Sequence, residues 1–229
     1  MKSEILVPGV IHLQGVTQYD ISSMFMRLQE FYESACGLQN KYFELEELMD
    51  AYATNEHSHN FTYTTDWAGF NVPGNIVDKF RKTYNGYMTV KEELLFDLLD
   101  GHLAEEDGRY KNKYYLIGTY AECLEVSYYV YHEMCHALWY MYSDFKTASR
   151  KLVRSLPKSD YTILREKLLE DGYHSKVIDD EINAYLSTSS MSDIINMFEQ
   201  SDRAIPWENI AQMQQNFYEY HDSVTLLST

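Results

Sequence analysis

The strongest constraint in this chain lies in Tyr128–Tyr140, YYVYHEMCHALWY, an apolar and aromatic run that encloses two histidines and a glutamate. No glycine or proline interrupts the stretch from Glu122 to Tyr142. Leu124, Tyr128, Tyr131, Cys135, Leu138 and Tyr142 recur there at helical spacing, so the segment reads as one helix. Residues four apart on a helix sit one above the other on the same face. His132 and His136 therefore offer two imidazole nitrogens to one metal ion. Glu133, one step round, can serve as general base toward a water at that ion. The competing reading is a pair of core histidines satisfied by hydrogen bonds.

A chain of 229 residues is long enough for one domain with a sizeable core, and 45% hydrophobic content with 21 tyrosines describes a folded globular protein. A formal charge of -16 argues against nucleic acid or an anionic membrane as partner, because phosphate binding needs a basic surface. Cys36, Cys123 and Cys135 are odd in number and form no Cys-x-x-Cys pair, as expected of reduced thiols in a cytoplasmic protein. Cys135 projects away from the histidine face, which gives it a packing role. The opening run to Leu13 lacks a strong basic flank and a small-residue cleavage site, so a first strand is expected rather than a signal peptide. No apolar stretch is long enough to span a bilayer.

Along the chain, Ile5–Leu13 reads as a strand and Asp20–Ser34 as a helix. Phe43–Tyr52 follows as a second helix. Asn60–Asp66 alternates and favours a strand, Gly69–Asn75 is a turn, and Ile76–Tyr84 is helical. Thr89-Val-Lys-Glu92 has the pattern of a capping box opening a helix through Leu103. A charged turn from His102 to Arg109 leads to a strand over Lys113–Tyr120, and the motif helix follows. Helices are expected over Phe145–Leu156, Asp160–Asp171 (closed by Gly172), Lys176–Ser187 and Glu208–Tyr220. With no repeat or linker, the expectation is a single domain over 1–229, of α+β class, mostly helical with a small sheet.

A catalytic zinc needs a third protein ligand and one open position. The spacing His-Glu-x-x-His-x-x-Gly-x-x-His is excluded, because Trp139 stands at the glycine position and Tyr142 at the final histidine. A carboxylate from a later helix is the alternative, and Val177–Leu186 offers three. Glu181 lies among Ile178, Ile182 and Tyr185 on the apolar side, where a carboxylate is costly unless paired or bound to metal. Asp180 shares a wetter face with Lys176, Asn183 and Ser187. Asp179 and Asp180 also suit the positive end of the helix dipole. Glu181 is preferred, with the two aspartates left open.

His132-Glu133-x-x-His136 followed by Glu181 on a later helix resembles the gluzincin class of zinc metallopeptidases. The resemblance covers those two helices and the strand before them. It implies a zincin-like active-site helix, Zn2+ held by His132, His136 and Glu181, and Glu133 activating the water. It also implies that strand Lys113–Tyr120 forms a cleft edge on which an extended peptide or protein substrate pairs. Peptide hydrolysis would need one more donor for the oxyanion. Tyr185, one turn beyond Glu181, is preferred over Tyr173, His174 and His221.

Rival readings are a carboxylate-bridged di-iron protein, using Glu133-x-x-His136 and Glu56-His-Ser-His59, and a zinc hydrolase acting on a small non-peptide substrate. A structural metal site and a metal-free helical interaction module complete the set. Nothing resembles a P-loop, a dinucleotide fingerprint or a nucleophile elbow. Substrate and oligomeric state are open at this level.

Overall fold

A computed structural model describes residues 1–34, 36–55, 60–105, 113–123, 126–171, 173–198 and 205–226, with the backbone alone for residues 105, 126 and 226. The fold is α+β, mostly helical, with a four-stranded mixed sheet. Contacts cluster into two compact units, Met1–Val130 and Tyr131–Thr229. Among the described residues, no helix is long and apolar enough to cross a membrane.

The first unit holds the sheet. Where one strand is expected over Ile5–Leu13, the chain makes two, β1 (Lys2–Val7) and β2 (Val10–Gly15), paired antiparallel with Val7 opposite Val10. The reason is Pro8-Gly9. Gly9 has φ +80, which a type II turn requires at its third position and a side chain would resist. Next come α1 (Gln18–Tyr32), α2 (Leu45–Asn55) and α3 (Tyr63–Asp66).

The strand expected over Asn60–Asp66 is instead the short helix α3. Side-chain bonds close a turn there: Thr62 Oγ1 donates to Asp66 at 2.6 Å and the Tyr52 hydroxyl donates to the same carboxylate at 2.8 Å. Such local bonds compete with a ladder. The strand lies later, as β3 (Phe70–Pro73), where a turn is expected; α4 (Gly74–Thr83) and α5 (Val90–Glu105) follow. Pro73 is tolerated because it ends an edge strand.

Strand β4 (Tyr115–Tyr120) completes the order β1-β2-β4-β3, parallel to β2 and antiparallel to β3. This corrects the cleft-edge expectation for Lys113–Tyr120. Over Tyr115–Gly118 both sides of β4 are already paired, so no backbone edge is left there for an added strand.

Helix α1 lies on this sheet. It opens two residues before the expected start because Thr17 and Asp20 form a reciprocal capping box. Its Ile21, Phe25, Leu28 and Phe31 join Leu13, Val72, Phe80, Leu99 and Leu116 in one buried cluster. Phe25 stacks on Phe70 at 5.3 Å. It also comes so near Gly118 that a Cβ there would meet its ring at 2.7 Å, so β4 needs a glycine under α1.

The second unit is helical. It contains α6 (Val126–Met141) from Tyr131 onward, then α7 (Ser143–Ser155), α8 (Lys158–Glu170), α9 (Ile178–Thr188), α10 (Met191–Phe198) and α11 (Trp207–Leu226). Tyr142, counted in the motif helix from periodicity, is extended at φ -122, ψ 112 and separates α6 from α7. Gly172, expected to close α8, lies outside the described residues. Helix α10 is additional to the expected set. Ser190 and Asp193 begin it, with the Asp193 N–H donating to Ser190 Oγ at 3.3 Å, and Ile194 and Phe198 are buried one turn apart. The core joins Val153, Leu164, Ile182, Leu186, Ile194 and Met213.

Candidate metal centre

Two helices build the site, and each has its own reason to face the other. On α9, Ile178, Ile182 and Leu186 recur every four residues and enter the core of the second unit. That fixes the rotation of α9. Asn183 and Ser187 then fall on a buried face, both fully shielded. Asn183 Nδ2 donates to Cys135 Sγ at 3.0 Å, and Ser187 Oγ donates to the Met213 carbonyl at 3.4 Å. The expectation of a wet face for Asp180, Asn183 and Ser187 is therefore corrected: small polar residues line a helix contact there. Cys135 has the packing role expected of it.

This arrangement brings His132, His136 and Glu181 together. The two Nε2 atoms are 3.3 Å apart. Glu181 Oε2 lies 3.6 Å from His136 Nε2 and 4.0 Å from His132 Nε2. Ligands about 2.0–2.1 Å from a tetrahedral ion stand roughly 3.3–3.4 Å from one another. The donor atoms thus converge at nearly the spacing one ion imposes, and all three residues are buried. Two imidazoles and a carboxylate are a donor set that several divalent transition metals accept.

Electrostatics at the cluster are uneven. Burial, followed by the neighbouring His136, holds the His132 imidazole well below its usual range. Burial also acts to lower His136, but Glu181 and then Asp180 outweigh it and push that imidazole well up. The same negative field favours a bound cation.

Glu133 is buried at 6% exposure, next to His132 on α6. Tyr185 packs its ring edge-on against His132, with centroids 4.7 Å apart. Its hydroxyl is 2.9 Å from that of Tyr173. Burial first, then the charge of Glu181, pushes the Tyr173 phenol far up, so it stays protonated and able to donate. His174 is instead exposed, its Nδ1 accepting the Lys176 N–H at 3.2 Å. His221 sits among the aromatic rings of Tyr131 and Phe217. Glu56 and His59, the second half of the di-iron pattern, lie outside the described residues.

Asp179 turns elsewhere. It accepts from the Tyr161 hydroxyl at 2.9 Å and faces Arg150 and Arg154 at 3.9 and 3.7 Å. Asp180 Oδ1 lies 3.2 Å from His136 Nδ1. Periodicity hides that contact, because it depends on which way α9 is rotated against α6. The available signal was Asn183 and Ser187, polar residues small enough to be buried.

No protein-family model, curated protein or solved structure matches this chain significantly.

Proposed function

We propose that this protein is a zinc-dependent hydrolase, a peptidase resembling the gluzincins, with His132, His136 and Glu181 as ligands and Glu133 as general base. The observation that supports this most is the convergence of three buried donor atoms within 4.8 Å, with a glutamate adjoining one of them on the same helix. Zinc held there supplies Lewis-acid polarisation of a carbonyl and makes water acidic enough to lose a proton near neutrality. Every further step belongs to the protein. The Glu133 carboxylate takes the proton from the attacking water and delivers it to the leaving amine. The Tyr185 hydroxyl, backed by Tyr173, donates to the oxygen that gains charge. Burial of the histidines and Glu181 keeps competing water away and strengthens these interactions.

The free cysteines support a reducing, cytoplasmic setting. The charge of -16 disfavours nucleic acid and anionic membranes as partners and is compatible with the proposed peptide or protein substrate.

Metal analysis combined with cleavage of a mixed peptide library tests the reading. The wild type is expected to carry about one zinc per chain. Glu133→Gln should keep that zinc and lose at least about 100-fold in turnover, whereas His136→Ala should lose the metal. Undiminished cleavage by Glu133→Gln would remove it as the base. Zinc retention with cleavage of small esters or amides, and none of peptides, would move the substrate to the small-molecule class. Two irons per chain would favour the di-iron alternative.

A further inference from the structure

Three consecutive acidic residues open α9, and a helix turns about 100° per residue, so they cannot share one target. Asp179 points to α7 and α8, where it meets Arg150, Arg154 and Tyr161. Glu181 points to the two Nε2 atoms. Asp180 meets the opposite side of the His136 ring, with Oδ1 3.2 Å from Nδ1, and its side chain is only 21% exposed beside a 4% exposed imidazole. A carboxylate oxygen thus stands within 4 Å of each His136 nitrogen, the two supplied by adjacent residues of one helix.

We infer that Asp180 is a positioning residue for the metal centre, selecting the Nδ1–H tautomer of His136 and so aiming the Nε2 lone pair into the ligand cluster. This rests on the metal-site reading given above. A neutral imidazole has two tautomers, and a buried ring can also sit in flipped orientations. Only the arrangement with a proton on Nδ1 and Nε2 facing Glu181 leaves a lone pair where an ion can use it. An acceptor at Nδ1 keeps a proton on that nitrogen and fixes the ring orientation, so that Nε2 is the nitrogen left to the ion, and such outer partners typically contribute 10- to 100-fold in metal affinity. Because Asp180 and Glu181 are neighbours on α9, a single helix rotation sets both a ligand and the support of another ligand. Asp180 is not itself a ligand, since its contact is with the nitrogen turned away from the cluster.

The test is binding of Zn2+ and Co2+ by full-length protein in competition with a chromophoric chelator, with circular dichroism to verify folding. Asp180→Ala should weaken Zn2+ binding about 10- to 100-fold and leave the shape of the Co2+ absorption band as in wild type. Asp180→Asn keeps an acceptor oxygen, so it should stay within a few fold of wild type; Asp180→Leu, of nearly the same shape and without an acceptor, should weaken binding as Asp180→Ala does and carries the test if the alanine variant does not fold. Glu181→Ala should change the Co2+ band itself. If Asp180→Ala and Asp180→Leu bind as tightly as wild type while His136→Ala and Glu181→Ala do not, the inference fails and the metal site stands. A Co2+ band altered in Asp180→Ala as it is in Glu181→Ala would make Asp180 a ligand and overturn the inference. Equal, negligible binding by wild type and His136→Ala would overturn the site and the inference together.

Discussion

Glu30 shows what a single buried acid can do to this molecule. It is 5% exposed on α1, and burial lifts its pKa to about 7 from 4.5, against the neighbouring hydroxyls of Ser34 and Tyr63, which act to lower it. Tyr63, on α3, is raised in turn by its own burial and then by the Glu30 charge. The folded chain holds this proton more tightly than the unfolded chain does. Its stabilising contribution is therefore full below about pH 4.5, declines as the pH rises, and is lost once the pH passes about 7. The whole span corresponds to about 3 kcal/mol. Urea unfolding of wild type and Glu30→Gln between pH 5 and 8 checks this, the variant being expected to lack that part of the slope. Equal slopes would mean that Glu30 is ionised in the folded core. In the sequence Glu30 is only one polar letter within an amphipathic stretch. Its burial depends on α3, a helix standing where alternation favours a strand.

At the scale of elements, the start of α5 joins local and long-range structure. The Thr89 N–H donates to Glu92 at 2.7 Å and the Glu92 N–H donates to Thr89 Oγ1 at 3.2 Å, so the capping box legible in Thr89-Val-Lys-Glu92 forms as expected. Invisible in that pattern is Arg27 of α1. Its Nε donates to Glu92 at 2.8 Å, and Arg27 and Glu92 are both about 2% exposed. Thr89→Ala should cost about 1 kcal/mol as the loss of a cap. Glu92→Ala should cost about 3–5 kcal/mol, because it also leaves a buried guanidinium without its carboxylate. Thermal or denaturant unfolding of the two variants decides it: equal losses would reduce Glu92 to its capping role. The mismatched elements have equally definite causes. Pro8-Gly9 folds one expected strand into a hairpin, and hydrogen bonds to Asp66 turn an alternating run into a helical turn.

At the scale of the whole molecule, the three proposed ligands come from α6 and α9 of the second unit, so an ion bound there would cross-link two helices that an unfolded chain holds apart. Binding to the folded state alone raises stability by about 4 kcal/mol when the metal is present at about 1,000 times its dissociation constant. Removing metal with a strong chelator should therefore lower the melting temperature of wild type and leave that of His136→Ala unchanged. Hydrogen exchange should slow in α9 when zinc is restored. Identical melting with and without chelator would show that no ion is bound in the folded state.

Helix geometry is local, so the sequence alone determined that His132 and His136 share a face with Glu133 beside them, and that Thr89 and Glu92 open α5. It also determined the α+β class, because helical periodicity extends over most of the chain and strand patterns over little of it. Only the tertiary structure decided which of Asp179, Asp180 and Glu181 meets the histidines. Consecutive side chains on a helix point about 100° apart, and their targets depend on how that helix is rotated. Ile178, Ile182 and Leu186 set the rotation by burying themselves in the core of the second unit, and the acids point where that burial leaves them.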